Sequence, residues 1–275
     1  MFALQDQDIP RAGARDLTRH GALARRLRRT AAGVACATAV ALPLAGAATA
    51  QAATSAPHTL TNVWTSLAPQ NGWFDYQNHT AAPAVTNIGG IVHLKGAIAT
   101  LGSNPVPFTL PVGDRPANEV HVQVDLCNAN SGRLNISPTG VVDVVAEGGN
   151  SSNADCGTSL DGAWFAPSET SFTQLTLQNG WHNYEDGTAT AAVRKISGIV
   201  HLEGAIATSG SSQLVAFTLP VGFRPAHNVY VSVDMNNASK GHVLIDSNGQ
   251  VTVFAEGNPS DATMFTSLDG VSFAP

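Results

Sequence analysis

The stretch "PFTLPVGDRPANEVHVQVDL" (107–126) returns as "AFTLPVGFRPAHNVYVSVDM" (216–235), 109 residues further on. Each version ends in strict alternation. Val120, Val122, Val124 and Leu126 are interleaved with His121, Gln123 and Asp125; Val229, Val231, Val233 and Met235 with Tyr230, Ser232 and Asp234. A period of two sends successive side chains to opposite faces, so one face is apolar and the other polar. That is a strand with one buried side, and its return predicts a strand-built unit used twice.

The repetition runs outward from there. "GGIVHLKGAIAT" (89–100) matches "SGIVHLEGAIAT" (197–208), "VVAEG" (144–148) matches "VFAEG" (253–257), and "TSLDGAWFAP" (158–167) matches "TSLDGVSFAP" (266–275). Two copies are too few for a solenoid. The expected organisation is two homologous domains, 58–167 and 170–275, joined by "SETS". No helical periodicity survives in either, and Asn-Gly and Asp-Gly pairs punctuate the runs at 71–72, 179–180, 248–249, 161–162 and 269–270. Such pairs favour the positive-φ turns that join antiparallel strands. The fold class expected is all-β: two tandem antiparallel β-sandwiches or jelly rolls. "QNGW" (70–73 and 178–181) reads as a hairpin turn followed by a tryptophan that anchors the next strand in the core. A tryptophan presented to a sugar ring is the competing reading.

Residues 1–52 differ from the rest. All seven leader arginines lie between Arg11 and Arg29, an alanine-rich apolar run follows, and A-x-A sites stand at Ala48–Ala50 and Ala50–Ala52. Basic, apolar and small-residue segments in that order predict a secretory signal peptide and an extracellular product. From Ala53 onward seven basic side chains face seventeen acidic ones, a net charge of −10. That balance excludes a phosphate-neutralising nucleic-acid surface and disfavours an anionic membrane. Cys127 and Cys156, the two cysteines beyond the leader, are expected to pair in an oxidising compartment.

Catalytic and metal signatures are missing from the sequence. There is no G-x-S-x-G, no H-E-x-x-H, no P-loop and no dinucleotide fingerprint. His93 and His201 recur singly on polar faces, and Asp246-Ser247-Asn248-Gly249 lacks the closing glutamate of a calcium loop. Asp161 and Asp269 sit in Asp-Gly turns that their carboxylates stabilise. Asp125 with Asp234, and Glu147 with Glu256, are the acids that could form a glycosidase pair, but a small sandwich with short loops gives little room for a cleft that would raise an acid's pKa. The expectation is no enzyme, no cofactor and no metal.

Five motifs occur in order in the second copy: N-G-W-x-x-Y (179–184), R-K-x-x-G-x-V-x-L-x-G (194–204), F-x-L-P-x-G-x-R-P (217–225), "GHVLIDSNGQV" (241–251) and "SLDGVSF" (267–273). Together they resemble the C-terminal β-sandwich domain of bacteriophage tail-fibre and receptor-binding proteins. The first copy departs from the pattern, with Thr86-Asn87 in place of Arg194-Lys195 and the two cysteines added. The resemblance implies a non-catalytic module that often trimerises and contacts a cell-surface saccharide or protein. Pure self-assembly without a ligand is the alternative, and a polysaccharide-acting enzyme the more remote one. Glycan sites pair aromatic faces with fixed polar groups, which nominates Tyr76, Tyr184, Tyr230, Asp125 and Asp234. Lys95 stands where the second copy has Glu203, an inversion that would let the copies, or two chains, face each other with opposite charges.

Overall fold

The first half runs through eleven strands: β1 (Thr65–Ser66), β2 (Trp73–Asp75), β3 (Ala84–Ile88), β4 (Ile91–Lys95), β5 (Ala97–Thr100), β6 (Phe108–Thr109), β7 (Val120–Leu126), β8 (Asn130–Ile136), β9 (Val141–Ala146), β10 (Thr158–Ser159) and β11 (Trp164–Phe165). The second half repeats the series: β12 (Thr173–Gln174), β13 (Trp181–Asn183), β14 (Ala192–Ile196), β15 (Ile199–Glu203), β16 (Ala205–Thr208), β17 (Val215–Thr218), β18 (Val229–Asp234), β19 (Lys240–Ile245), β20 (Gln250–Ala255), β21 (Thr266–Ser267) and β22 (Ser272–Phe273). Two short helices, α1 (Ser151–Cys156) and α2 (Pro259–Met264), occupy matching places. These elements come from a computed structural model that describes residues 63–210 and 214–275; the expected export leader lies outside the described residues.

Every pairing between these strands is antiparallel. In the first half β1-β3-β4-β11 form one sheet and β2-β5-β10-β7-β8-β9-β6 a longer, seven-stranded one. The second half pairs in the same order: β12-β14-β15-β22, then β13-β16-β21 and β17-β20-β19-β18, these last two linked by a single bridge, Met235 to Thr266. The alternation read from the sequence fills two separate cores. One gathers Val85, Ile98, Phe108, Leu134 and Phe165; the other Val193, Ile206, Phe217, Val243 and Leu268. Each such side chain contributes roughly 1.5–3 kcal/mol by leaving water. Both cores belong to one compact unit, His58–Pro275.

QNGW closes a turn but joins no hairpin. Trp73 N donates to Gln70 O at 2.9 Å, and Asn71 and Gly72 both have positive φ, 55° and 87°. Yet β1 and β2 belong to different sheets, so the turn carries the chain from one layer to the other. Trp73 and Trp181 are both 5% exposed, and Trp73 Nε1 donates to Asn104 O at 2.7 Å. Buried on the core side, neither ring is open to a sugar. The Asp-Gly turns do hold structure. Asp161 Oδ1 accepts from Gly96 N at 2.9 Å and Asp269 Oδ1 from Gly204 N at 3.0 Å. Those two glycines lie between consecutive strands at φ +94° and +91°, and any Cβ there would fall within 2.6 Å of a backbone carbonyl oxygen.

The disulfide is formed. Cys127 and Cys156 are bonded, with Cα atoms 5.9 Å apart, and tie the end of β7 to the end of α1. The second half has Asn236 and Met264 in those places, joined only by an Asn236 Nδ2 contact to Met264 Sδ at 3.7 Å.

Candidate functional site

The polar face of β7 is where the two halves meet. β7 is paired with β8 along its length but with β10 only at Leu126, so its first residues present a free edge. The second half captures that edge. Glu119 N donates to Gly187 O at 2.9 Å, His121 N to Asp269 Oδ2 at 3.4 Å, and Ser267 Oγ donates to His121 O at 2.7 Å. Above the edge, the His121 ring meets Phe265 edge-on at 4.9 Å, and Arg133 from β8 reaches Asp234 Oδ2 at 3.3 Å while lying over the same phenylalanine. Trp164 of the first half packs edge-on against His201 of the second at 4.7 Å.

Burial here changes the chemistry of the acids. Asp234 is only 1% exposed, and loss of water pushes its carboxyl up to about 7 even though Arg133 pulls the other way. Asp269 is raised to about 7 by burial, against the hydrogen bonds from Gly204, His121 and Ser267. Glu203 is raised to about 8, first by burial and then by the neighbouring charges of Asp269 and Glu169. His121 moves the opposite way, to about 4, because burial and Arg133 both oppose a second positive charge.

The five nominated residues do not form one glycan pocket. Asp234 is sealed in the junction against Arg133 of the first half rather than displayed on an outer face. Tyr184 sets its ring edge-on to Phe265 at 4.9 Å, on the rim of a shallow hollow of about 490 Å³ with His182, Glu185 and Asp186. Tyr76 and Asp125 hold the corresponding positions of the first half, with Tyr76 half-buried near Gly157 and Asp125 exposed. Tyr230, 67% exposed, stands at the place of His121. An open cleft of about 370 Å³ lies between the halves, lined among others by Gln123, Asp125, Asp161, Ser232 and Lys240, and it has no aromatic wall.

No protein-family model, no curated protein and no solved structure matches this chain.

The residues that hold the junction, His121, Arg133, Phe265, Ser267 and Asp269, escape a reading based on what the copies share. Their signal is in the differences. Aligning the halves sets His121 against Tyr230, Arg133 against His242, and Gly157 against Phe265, and at the first of these one half is covered, His121 at 7% exposed, while the other is not, Tyr230 at 67%. The Lys95 and Glu203 inversion has a different outcome from the one expected. Lys95 Nζ lies 4.4 Å over the Trp64 ring, while Glu203 is buried beside Asp269; among the described residues the two do not pair.

Proposed function

We propose that this chain is an exported, non-catalytic binding protein whose recognition surface is the outer face and edge of β18, β19 and β20. The observation that carries this reading is an asymmetry of burial. The first half uses this surface for docking, with His121 7% exposed, whereas the second half leaves the same surface open, with Tyr230 67% exposed. Tyr230 there heads a ladder across three strands. Its ring is 5.8 Å from that of His242, which stacks on Phe254 at 5.1 Å and 21°. An aromatic face on an uncovered sheet suits a macromolecular partner, since aromatic side chains bring large contact area for little lost rotamer entropy. The resemblance to tail-fibre modules points to a saccharide or protein at a cell surface.

The test is retention of the purified chain on bacterial envelope fractions, with Tyr230→Ala and His242→Ala compared against the unaltered protein. Loss of retention in both variants, with unchanged circular dichroism, supports the reading. Equal retention in all three places the recognition surface elsewhere.

A further inference from the structure

The contact between the halves joins two unlike surfaces. One, on the first half, is the free edge of β7 with His121 and Arg133; the other, on the second half, is the group Asp234, Phe265, Ser267 and Asp269. Because both halves are built alike, each chain retains one unused example of each surface. The second half keeps an open β18 edge with Tyr230 and His242, and the first half keeps Asp125, Ser159 and Asp161. Resting on the recognition surface proposed above, we infer that its occupant is the first half of a second copy of this chain, bound head to tail.

The unused surfaces are prepared for each other. Asp269 N donates to Ser267 Oγ at 3.1 Å, which aims that hydroxyl at His121 O; Asp161 N donates to Ser159 Oγ at 3.3 Å in the same way. Asp161, like Asp269, commits Oδ1 to a glycine N–H, and its Oδ2 takes the place that in Asp269 receives His121 N. On the facing surface β18 pairs only with β19 along Val229–Ser232, leaving an unpaired strand edge of the kind that invites another chain. The polar positions keep their order, with His242 and Asp125 standing where Arg133 and Asp234 pair.

A contact between unlike surfaces repeats from copy to copy, and it ends in a ring if the rotation closes and a filament if it does not. The experiment is light scattering and sedimentation of the full chain purified from an exporting host. Two variants accompany it: Tyr230→Arg, which spoils one surface, and Asp125→Arg with Ser159→Arg, which spoils the other. The unaltered chain is expected to form rings or filaments. Each variant alone is expected to be monomeric, weakened about tenfold or more as for a central contact residue. Mixed together, the two variants retain one good surface each and are expected to give a one-to-one dimer that grows no further. An unaltered chain that stays monomeric, assemblies indifferent to both variants, or a mixture that fails to dimerise overturns the inference. A monomeric chain whose envelope retention still depends on Tyr230 would leave the recognition surface standing and remove only the second copy as its occupant.

Discussion

Arg133 and Asp234, 101 residues apart in sequence, meet at 3.3 Å in the junction between the halves, the arginine side chain 18% exposed and the aspartate fully covered. Removing one member of a buried pair strands the other, at a cost of about 3–5 kcal/mol. The stranded group here has a way out, since the Asp234 carboxyl already stands at about 7 and protonates readily. Arg133→Ala is therefore expected to destabilise by about 3 kcal/mol above pH 8 and by distinctly less near pH 5.5, where a neutral carboxyl needs no cation. Urea unfolding at the two pH values measures the difference; equal losses at both would mean that Asp234 is not the group being stranded.

The junction acids also set the pH dependence of the whole fold. Glu203 at about 8 and Asp269 at about 7 stand above their ordinary values of 4.5 and 3.8. The folded state thus holds more protons than the unfolded chain between about pH 4 and 8, and stability falls as pH rises through that window. His121, lowered from 6.5 to about 4, works in the opposite sense, adding stability as pH rises from 4 to 6.5. Above pH 6.5 the carboxyl effect is left unopposed. Glu203→Gln, which cannot ionise, is expected to flatten the decline between pH 6.5 and 8 and to exceed the unaltered chain in midpoint at the upper end. A thermal-melt series over that range checks it, and parallel curves for the two proteins would contradict it.

How far the sequence leads is visible at these same residues. The alternation in 120–126 and 229–235 assigns the strands and their core faces correctly, because burial of one face is written in the period itself. It also places Asp234, His121, His201 and Glu203 on the polar faces, where they are. What it does not contain is the second layer of burial, in which one half covers the polar face of the other. A period of two says which side faces away from its own core and nothing about what lies beyond. Near-identity of the copies compounds this, since it draws attention to shared residues such as QNGW and away from Gly157 and Phe265, where they part. The cysteine pair needed no such geometry. Cys127 and Cys156 are the two thiols of residues 53–275, and two thiols leave a single pairing.

That disulfide closes a loop with a sequence separation of 29, for which the chain-entropy estimate is about 3–4 kcal/mol. Cys127→Ser with Cys156→Ser is expected to cost about that much, and reductant is expected to bring the unaltered chain to the same midpoint. The second half carries no such bond, so hydrogen exchange in β19 and β20 is expected to move less than in β8 and β9. Uniform loss of protection across both halves would instead mean that they unfold as one.

Gly204 tests the turn. Its φ of +91° and a would-be Cβ only 2.6 Å from the carbonyl oxygens of Ala189 and Thr190 leave no place for a side chain. Gly204→Ala is expected to cost about 3 kcal/mol, the upper part of the range for a strained backbone position. Gly257→Ala, where a Cβ would meet nothing within 4 Å, is the control and is expected to change stability by less than about 0.5 kcal/mol. Chemical denaturation of both variants decides it.

Phe265 separates packing from charge at the junction. Its ring is 5% exposed, edge-on to both His121 and Tyr184 at 4.9 Å, with the Arg133 guanidinium 5.7 Å above it. Truncating a buried phenylalanine costs about 3–5 kcal/mol. Phe265→Gly, which installs the first half's own residue at that position, is expected to fall in that range and to loosen the hold on the β7 edge. Because Phe265 also helps fix Arg133 over Asp234, the costs of Phe265→Ala and Arg133→Ala are not expected to add. A double-mutant cycle should return a coupling of about 1 kcal/mol, typical of side chains in direct contact. If the two losses sum within experimental error, the ring and the ion pair hold the halves together independently, and the junction is two contacts rather than one.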